Sequence, residues 1–421
     1  VRAASRRGVG LIVATVAAAL AGCELLVDVP RPDVVGDAGA SVDDGGAGGG
    51  DGPAATCAPD CAGPTPYCDL ASTTCVECLE ASHCPGERPA CQAGTCQGCL
   101  DDTTCGPSGV CLLDGSCAAP ARIRHAAPAG VGAACTVDQP CALDVAVAGL
   151  DAVTDVVRLL PGDYPRVGTL APTAPGLIAG AGATLRAQSG GGLFAVIMAD
   201  AVAVSVTGLV VDAAGHIGVQ SMNGGALRLH RATVQGGLLG GYAGASTLEL
   251  VRTRVTANTG YGVFGSGAIV RIENAVIDRN GSTGGFLAGL TLSDGSTGVV
   301  EHSTIAANSA SDGAGGLRCA GSPGVVIRSN VLWGNSGGGI EASCVVTFGV
   351  VDPGYPGAGT AGTQAIDPLF VDASAGDFHL QATSPARGLA DPASIVATDL
   401  DGEARPRPAP GPSDAGADEV P

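Results

Sequence analysis

The chain of 421 residues has no lysine, and all 21 of its basic residues are arginine. They stand against 40 acidic residues, for a formal net charge of −19. No basic block occurs beyond the N-terminus, which argues against nucleic acid as a partner. The plain reading of the excess negative charge is solubility. Aromatics are equally scarce, with six Phe, five Tyr and one Trp. A compact core built on large rings is therefore excluded, and any core must come from Val, Leu, Ile and Ala. Glycine is abundant, at 68 residues.

The N-terminus reads as a targeting segment. Arg2, Arg6 and Arg7 precede the apolar run "GVGLIVATVAAALAG", which is short and rich in Gly and Ala, and Cys23 follows. A basic start before such a run reads as an export signal rather than a membrane span. "LAGC" (Leu20 to Cys23) resembles the lipobox of bacterial lipoproteins. The resemblance implies cleavage after residue 22 and a diacylglycerol on the Cys23 sulfur. An ordinary secretory signal with an incidental Cys is the alternative. Residues 23–56 are dominated by Gly, Pro, Asp and Ala, without periodicity, and predict a disordered acidic tether. Such a tether would span roughly 30 Å, at about 5–6 Å per root residue.

Export implies an oxidising compartment, so the cysteines read as disulfides. Setting Cys23 aside leaves 16 of the 17 cysteines, in even clusters. Residues 57–119 repeat every 21 residues: Cys57, Cys61, Cys68, Cys75; Cys78, Cys84, Cys91, Cys96; Cys99, Cys105, Cys111, Cys117. Cys135 with Cys141 and Cys319 with Cys344 complete the set. Units this short bury little apolar area and need covalent staples. Zinc is the rival reading of the C-x2-C pairs Cys75/Cys78 and Cys96/Cys99, but His83 is the single His of the region. Connectivity stays open. The block resembles the Cys-rich repeats of lipoproteins from large-genome Gram-negative bacteria of the myxobacterial type, which implies a spacer or protein-interaction module.

From residue 120 the composition turns to Val, Leu, Ile, Gly and Thr. "CALDVAVAGLDAV" predicts a short helix and "TDVVRLLPGDYPRV" a strand, a turn and another start. Then "RVTAN", "VIDRN", "TIAAN" and "VLWGN" recur, ending at Asn258, Asn280, Asn308 and Asn335, at spacings of 22, 28 and 27 residues. Aligned on Asn, Leu229, Leu250, Ile272, Val300 and Ile327 share one column. Val234, Val255, Ile277, Ile305 and Leu332 share another. The Gly-rich segments that follow contribute Val263, Leu290, Leu317 and Ile340. A period in the twenties with two short strands per unit predicts a solenoid, with aliphatic columns inside. The Asn column is placed at a bend, where Asn tolerates the left-handed conformation and stacked amides form a ladder.

This part resembles the right-handed parallel β-helix family, the fold of pectate lyases and many bacterial surface proteins. The expected fold class is thus all-β: a parallel β-helix over 120–421, with a cap helix and a closing segment "DPLFVDASAGDFHLQ…DLDGEARPRP…DAGADE" that covers an exposed edge.

Many proteins of the family it resembles are polysaccharide lyases or hydrolases, which makes the coil charges candidates for chemistry: Glu249, Arg252, Arg254, Arg271, Glu273, Asp278, Arg279, Glu301, His302 and Arg328. Glu273, Glu301 and Arg328 align in one outward column, Arg252, Asn274 and His302 in the next. The expectation is a surface ion-pair ladder, with no catalytic residue and no metal ligand assigned. No cofactor is expected; "TDLDG" (Thr398 to Gly402) hints at a Ca²⁺ loop but reads more plainly as a turn. Tyr242, Tyr261, Phe264 and Phe286 in the Gly-rich segments suggest a modest sugar platform. The leading expectation is a non-enzymatic, lipid-anchored protein of the outer membrane or cell surface, for adhesion or polysaccharide contact. The alternatives are a lyase or hydrolase of acidic polysaccharide, and a Cys-rich block that binds another surface protein.

Overall fold

A computed structural model describes residues 61–99, 101–106, 109–189, 192–281, 289–311, 313–337, 339–406 and 411–420. The export signal, Cys23, the tether, Cys57 and Phe286 lie outside the described residues. The fold is all-β: a right-handed parallel β-helix preceded by small disulfide-stapled units.

The stapled units carry more local structure than their spacing predicts. Tyr67–Asp69 pairs antiparallel with Thr74–Val76, and Ala90–Gln92 with Thr95–Gln97. In the second and third units the first Cys bonds the third and the second bonds the fourth: Cys78–Cys91, Cys84–Cys96, Cys99–Cys111 and Cys105–Cys117. In the first unit Cys61 bonds Cys75, and Cys68 is disulfide-bonded. The third unit also shares a small core with the β-helix. Its Val110 and Ala118 pack against Ile123, Val156, Leu177 and Ala179 on the outside of the first coils.

The β-helix opens with Ile123–Ala126 paired in parallel to Val156–Leu159. The helix Leu143–Ala148 lies between them in sequence and buries Leu143, Ala146 and Val147. The Cys135–Cys141 disulfide joins the same core. Each middle coil then contributes three strands. In one coil these are Leu239–Gly244, Thr247–Val251 and Arg254–Thr256; in the next, Val263–Ser266, Ile269–Glu273 and Val276–Asp278. The Gly-rich segments are thus strands themselves, and six of them form their own parallel sheet. Two strands per unit were legible; the third was hidden because glycine is a poor strand former. Its register is nonetheless regular, with Val263 opposite Leu290 and Leu290 opposite Leu317.

The aliphatic columns stack in register: Leu229, Leu250, Ile272, Val300 and Ile327, and beside them Val234, Val255, Ile277, Ile305 and Leu332. Burial of one such side chain stabilises the fold by about 1.5–3 kcal/mol. Small branched side chains suffice because neighbouring coils hold identical positions about 4.8 Å apart.

The corners differ from the expectation in one respect. The left-handed residue is the one before each Asn: Ala257, Arg279, Ala307 and Gly334, with φ of 54°, 53°, 55° and 69°. A second corner, between the other two strands, is held by Arg231, Arg252, Asn274, His302 and Ser329, with φ from 45° to 58°. Non-glycine residues tolerate this geometry because the next coil takes their N–H groups. The Arg252 and Ala257 amides, for example, donate to the carbonyls of Glu273 and Asp278. The freed Asn side chains point inward and form the ladder. Asn258 Nδ2 donates to Asn280 Oδ1 at 2.8 Å, Asn280 Nδ2 to Asn308 Oδ1 at 3.0 Å, and Asn308 Nδ2 to Asn335 Oδ1 at 3.0 Å. The preceding coil, which carries Gly237 where the others carry Asn, supplies the first rung, with Gly237 N–H donating to Asn258 Oδ1. Asp352 supplies the last acceptor, and burial raises its pKa.

The closing segment does not merely cover the last coil. Residues from about 369 onward turn back along the flank of the β-helix. Phe378, Leu380, Ala386, Ala415 and Ala417 cover the outward faces of Val276, Ala306, Val331 and Val350. The strap is pinned by Arg252 Nε to Leu400 O, Asn274 Nδ2 to Thr398 O, Ala417 N to Thr304 Oγ1 and Gly416 N to Ser329 O.

Candidate functional site

The six-stranded sheet of Gly-rich strands carries the aromatic residues singled out from the sequence. Tyr242 and Phe264 are direct register partners in adjacent coils, on the outward side, because Ala243 and Val263 beside them fill the core. Tyr261 precedes the second of these strands. Its ring stacks on Phe264 with centroids 5.0 Å apart and planes inclined by 17°. The Tyr242 and Phe264 rings lie 5.7 Å apart. All three are half-buried, so each keeps part of a ring in solvent. Gly244 lets the Tyr242 ring lie along the sheet: a Cβ there would come within 2.7 Å of its hydroxyl. Down the same outward column run Thr291 and Arg318. Of these Thr291 is buried, so the exposed platform is the three aromatic rings, which can take the apolar faces of sugar rings.

The charged columns are placed differently from a surface ladder. Glu273, Glu301 and Arg328 do align in successive coils. But Glu301 is buried and accepts from Arg328 Nε at 2.9 Å, while Arg328 Nη1 reaches Asp391 of the strap at 2.9 Å. Glu273 is bound by Arg271, which also holds Glu249. His302 is wholly buried, with Nε2 against Ser394 Oγ. Burial, with Arg405 nearby, lowers its pKa to about 3. The strap, whose path the sequence did not disclose, turns these outward columns into an internal seam. Asp278 is also buried, in a two-pronged pair with Arg254 and a contact from Arg279.

The "TDLDG" segment forms a turn. Asp399 Oδ1 accepts from the amides of Asp401, Gly402 and Glu403, and Oδ2 from that of Glu419. Its oxygens are therefore committed to backbone donors. Beside it His379, Asp401 and Asp418 come close enough to share an ion. However, both His379 nitrogens are engaged, by Asp377 and Asp401. Burial opposes its charge, but those two hydrogen bonds outweigh burial and raise its pKa to about 9.

Cys319 and Cys344 are bonded in neighbouring coils. They lie at the foot of the six-stranded sheet, next to Leu317 and its bridge partner Ile340.

The family model for the right handed beta helix region matches residues 194–347. A solved structure of a pectate lyase, Pel9A, superposes with a TM-score of 0.46 and 16% identity. The superposition covers 71% of this chain and 96% of that one. This likeness is one of fold and bears on neither substrate nor activity. No curated protein matches the sequence.

Proposed function

We propose that this chain is a lipid-anchored envelope protein that holds polysaccharide on its β-helix without cleaving it. The observation that carries the reading is the Tyr242, Tyr261 and Phe264 patch on the outward face of the six-stranded sheet. Stacked coils give such a patch the repeat of an extended polymer rather than the shape of a pocket. The lipid anchor rests on Arg2, Arg6, Arg7 and "LAGC" ahead of the tether, and a tethered, stapled protein suits an outer-membrane or cell-surface position.

Cleavage draws no support from the carboxylates. Hydrolysis needs two free carboxyls across one bond, roughly 5–10 Å apart. Glu273 and Glu301 share a column, but each is occupied by an Arg and Glu301 is buried.

Affinity electrophoresis against neutral and acidic polysaccharides tests the reading. Tyr261→Ala and Phe264→Ala are each expected to weaken retention about tenfold, the loss of ~1–2 kcal/mol expected of an aromatic anchor. Retention unchanged in both variants would remove the patch from the account.

A further inference from the structure

A cleft of about 630 Å³ opens where the third Cys-rich unit meets the β-helix and the strap. That volume lies within the ordinary range for small-ligand sites. Its floor is a run of arginines from three successive coils: Arg228 and Arg231, Arg252, and Arg271. Arg228 and Arg271 are held by Glu249, and Arg271 by Glu273 as well. Arg231 and Arg252 are not. They occupy the same left-handed corner in adjacent coils, with the Arg231 amide bonded to Val251 O at 3.1 Å. Neither has a carboxylate within salt-bridge distance among the described residues.

The carboxylates nearest to them are committed elsewhere. Asp101 caps the short helix Asp102–Cys105 by accepting from Thr103, and Asp102 accepts from the Cys111 amide. On the strap side, Asp399 is filled by four backbone amides and Asp401 is bound to His379. Arg231 meanwhile keeps Nε and Nη1 buried with no acceptor among the described residues; the side-chain bond it makes there is Nη2 to Thr207 Oγ1 at 3.2 Å. Arg252 donates Nε to Leu400 O, and among the described residues its Nη groups have no hydrogen-bond acceptor. Buried donors such as those of Arg231 are costly to leave without a partner.

We propose that this cleft binds a tetrahedral oxyanion, a sulfate or phosphate ester, between Arg231 and Arg252. A carboxylate offers two oxygens, which one guanidinium fork can occupy. Two forks on separate coils match the three terminal oxygens of a sulfate or phosphate group. Burial first, and then the positive charges of Arg231, Arg252 and Arg271, disfavour a proton on the neighbouring His230 and lower its pKa to about 4. That imidazole can then hydrogen-bond a ligand hydroxyl without adding charge. The apolar wall from Leu112 and Leu113 of the third Cys-rich unit leaves room for the carbon skeleton that bears the ester. The site stands apart from the aromatic patch, so either can fail alone.

Isothermal titration of the full chain with inorganic sulfate, inorganic phosphate, galactose 6-sulfate, glucose 6-phosphate and galacturonate tests the proposal. The inorganic arms separate a bare-anion site from one that needs the attached sugar. Saturable binding of the tetrahedral anions is expected, weakened about tenfold or more in Arg231→Gln and in Arg252→Gln, as the loss of a charge-assisted bond implies. Arg231→Lys should recover part of that loss. Thermal melts of the unliganded variants report folding, and the two Gln variants are independent should one fold poorly. Absence of saturable binding, binding by both Gln variants as tight as that of the unaltered chain, or tighter binding of galacturonate than of the esters would each overturn the proposal.

Discussion

Replacing Asn280 by Ala removes the centre of the amide ladder and should be among the costliest single changes of a polar residue in this chain. Asn280 Oδ1 accepts both the backbone and the side-chain amide of Asn258, at 3.1 and 2.8 Å. Its Nδ2 donates to Val255 O and to Asn308 Oδ1. All of these atoms lie in residues that are essentially fully buried. The acceptors on the far side are not orphaned together, because Asn308 Oδ1 retains the Asn280 amide at 2.9 Å. The two Asn258 donors are orphaned, and alanine is too short to admit a replacement acceptor. At about 1–3 kcal/mol for each of the two buried unsatisfied donors, the expected loss is roughly 2–6 kcal/mol. Equilibrium urea unfolding followed by far-ultraviolet circular dichroism measures it. Arg228→Gln, a change at a half-exposed ion pair on the same stack of coils, serves as the control and should cost no more than about 1 kcal/mol. A loss for Asn280→Ala as small as that of the control would refute the ladder as a buried network.

Three further outcomes follow from the same structure. His302 and His230 have folded pKa values lowered to about 3 and 4, below the usual 6.5, so the stability they contribute is present above pH 6.5 and declines as pH falls through those values. His379, raised to about 9, acts in the opposite sense: its contribution is complete below pH 6.5 and is lost as pH rises through 9. Melting temperature should therefore peak near pH 6.5, with His379→Gln flattening the alkaline limb alone; an unchanged alkaline limb would contradict its role in pinning the strap. Cys23→Ser should release the protein from membranes or leave its precursor uncut, as fractionation and mass spectrometry would show, and normal processing with membrane retention would remove the anchor from the account.

The fold was legible because a solenoid writes its contacts into sequence spacing. Ile277 stacks between Val255 and Ile305, and these three align in the sequence once the Asn residues are aligned. The strands within the Gly-rich segments were less legible, since their pairing comes from the backbone and from single residues such as Val263 and Leu290. The strap was not legible at all. Its contacts join residues more than 100 positions apart, as in Asn274 to Thr398 and Arg252 to Leu400, and no periodic pattern encodes them. That is why Glu301 and His302 read as surface residues in the sequence and lie buried in the structure. The aromatic patch was visible as the ring residues Tyr242, Tyr261 and Phe264 in the Gly-rich segments. The Arg231 cleft was not, because it exists only once the third Cys-rich unit packs on the coils.

The central claim is retention of polysaccharide without its cleavage, and one paired assay tests it most directly. The chain is incubated with pectin, alginate and chondroitin-type polymers, with and without Ca²⁺, while bound polymer and released unsaturated or reducing ends are followed together. The account predicts binding that Tyr261→Ala and Phe264→Ala weaken, and no product in either condition. Products that vanish in Glu273→Gln or Glu301→Gln would contradict it and make the β-helix an enzyme.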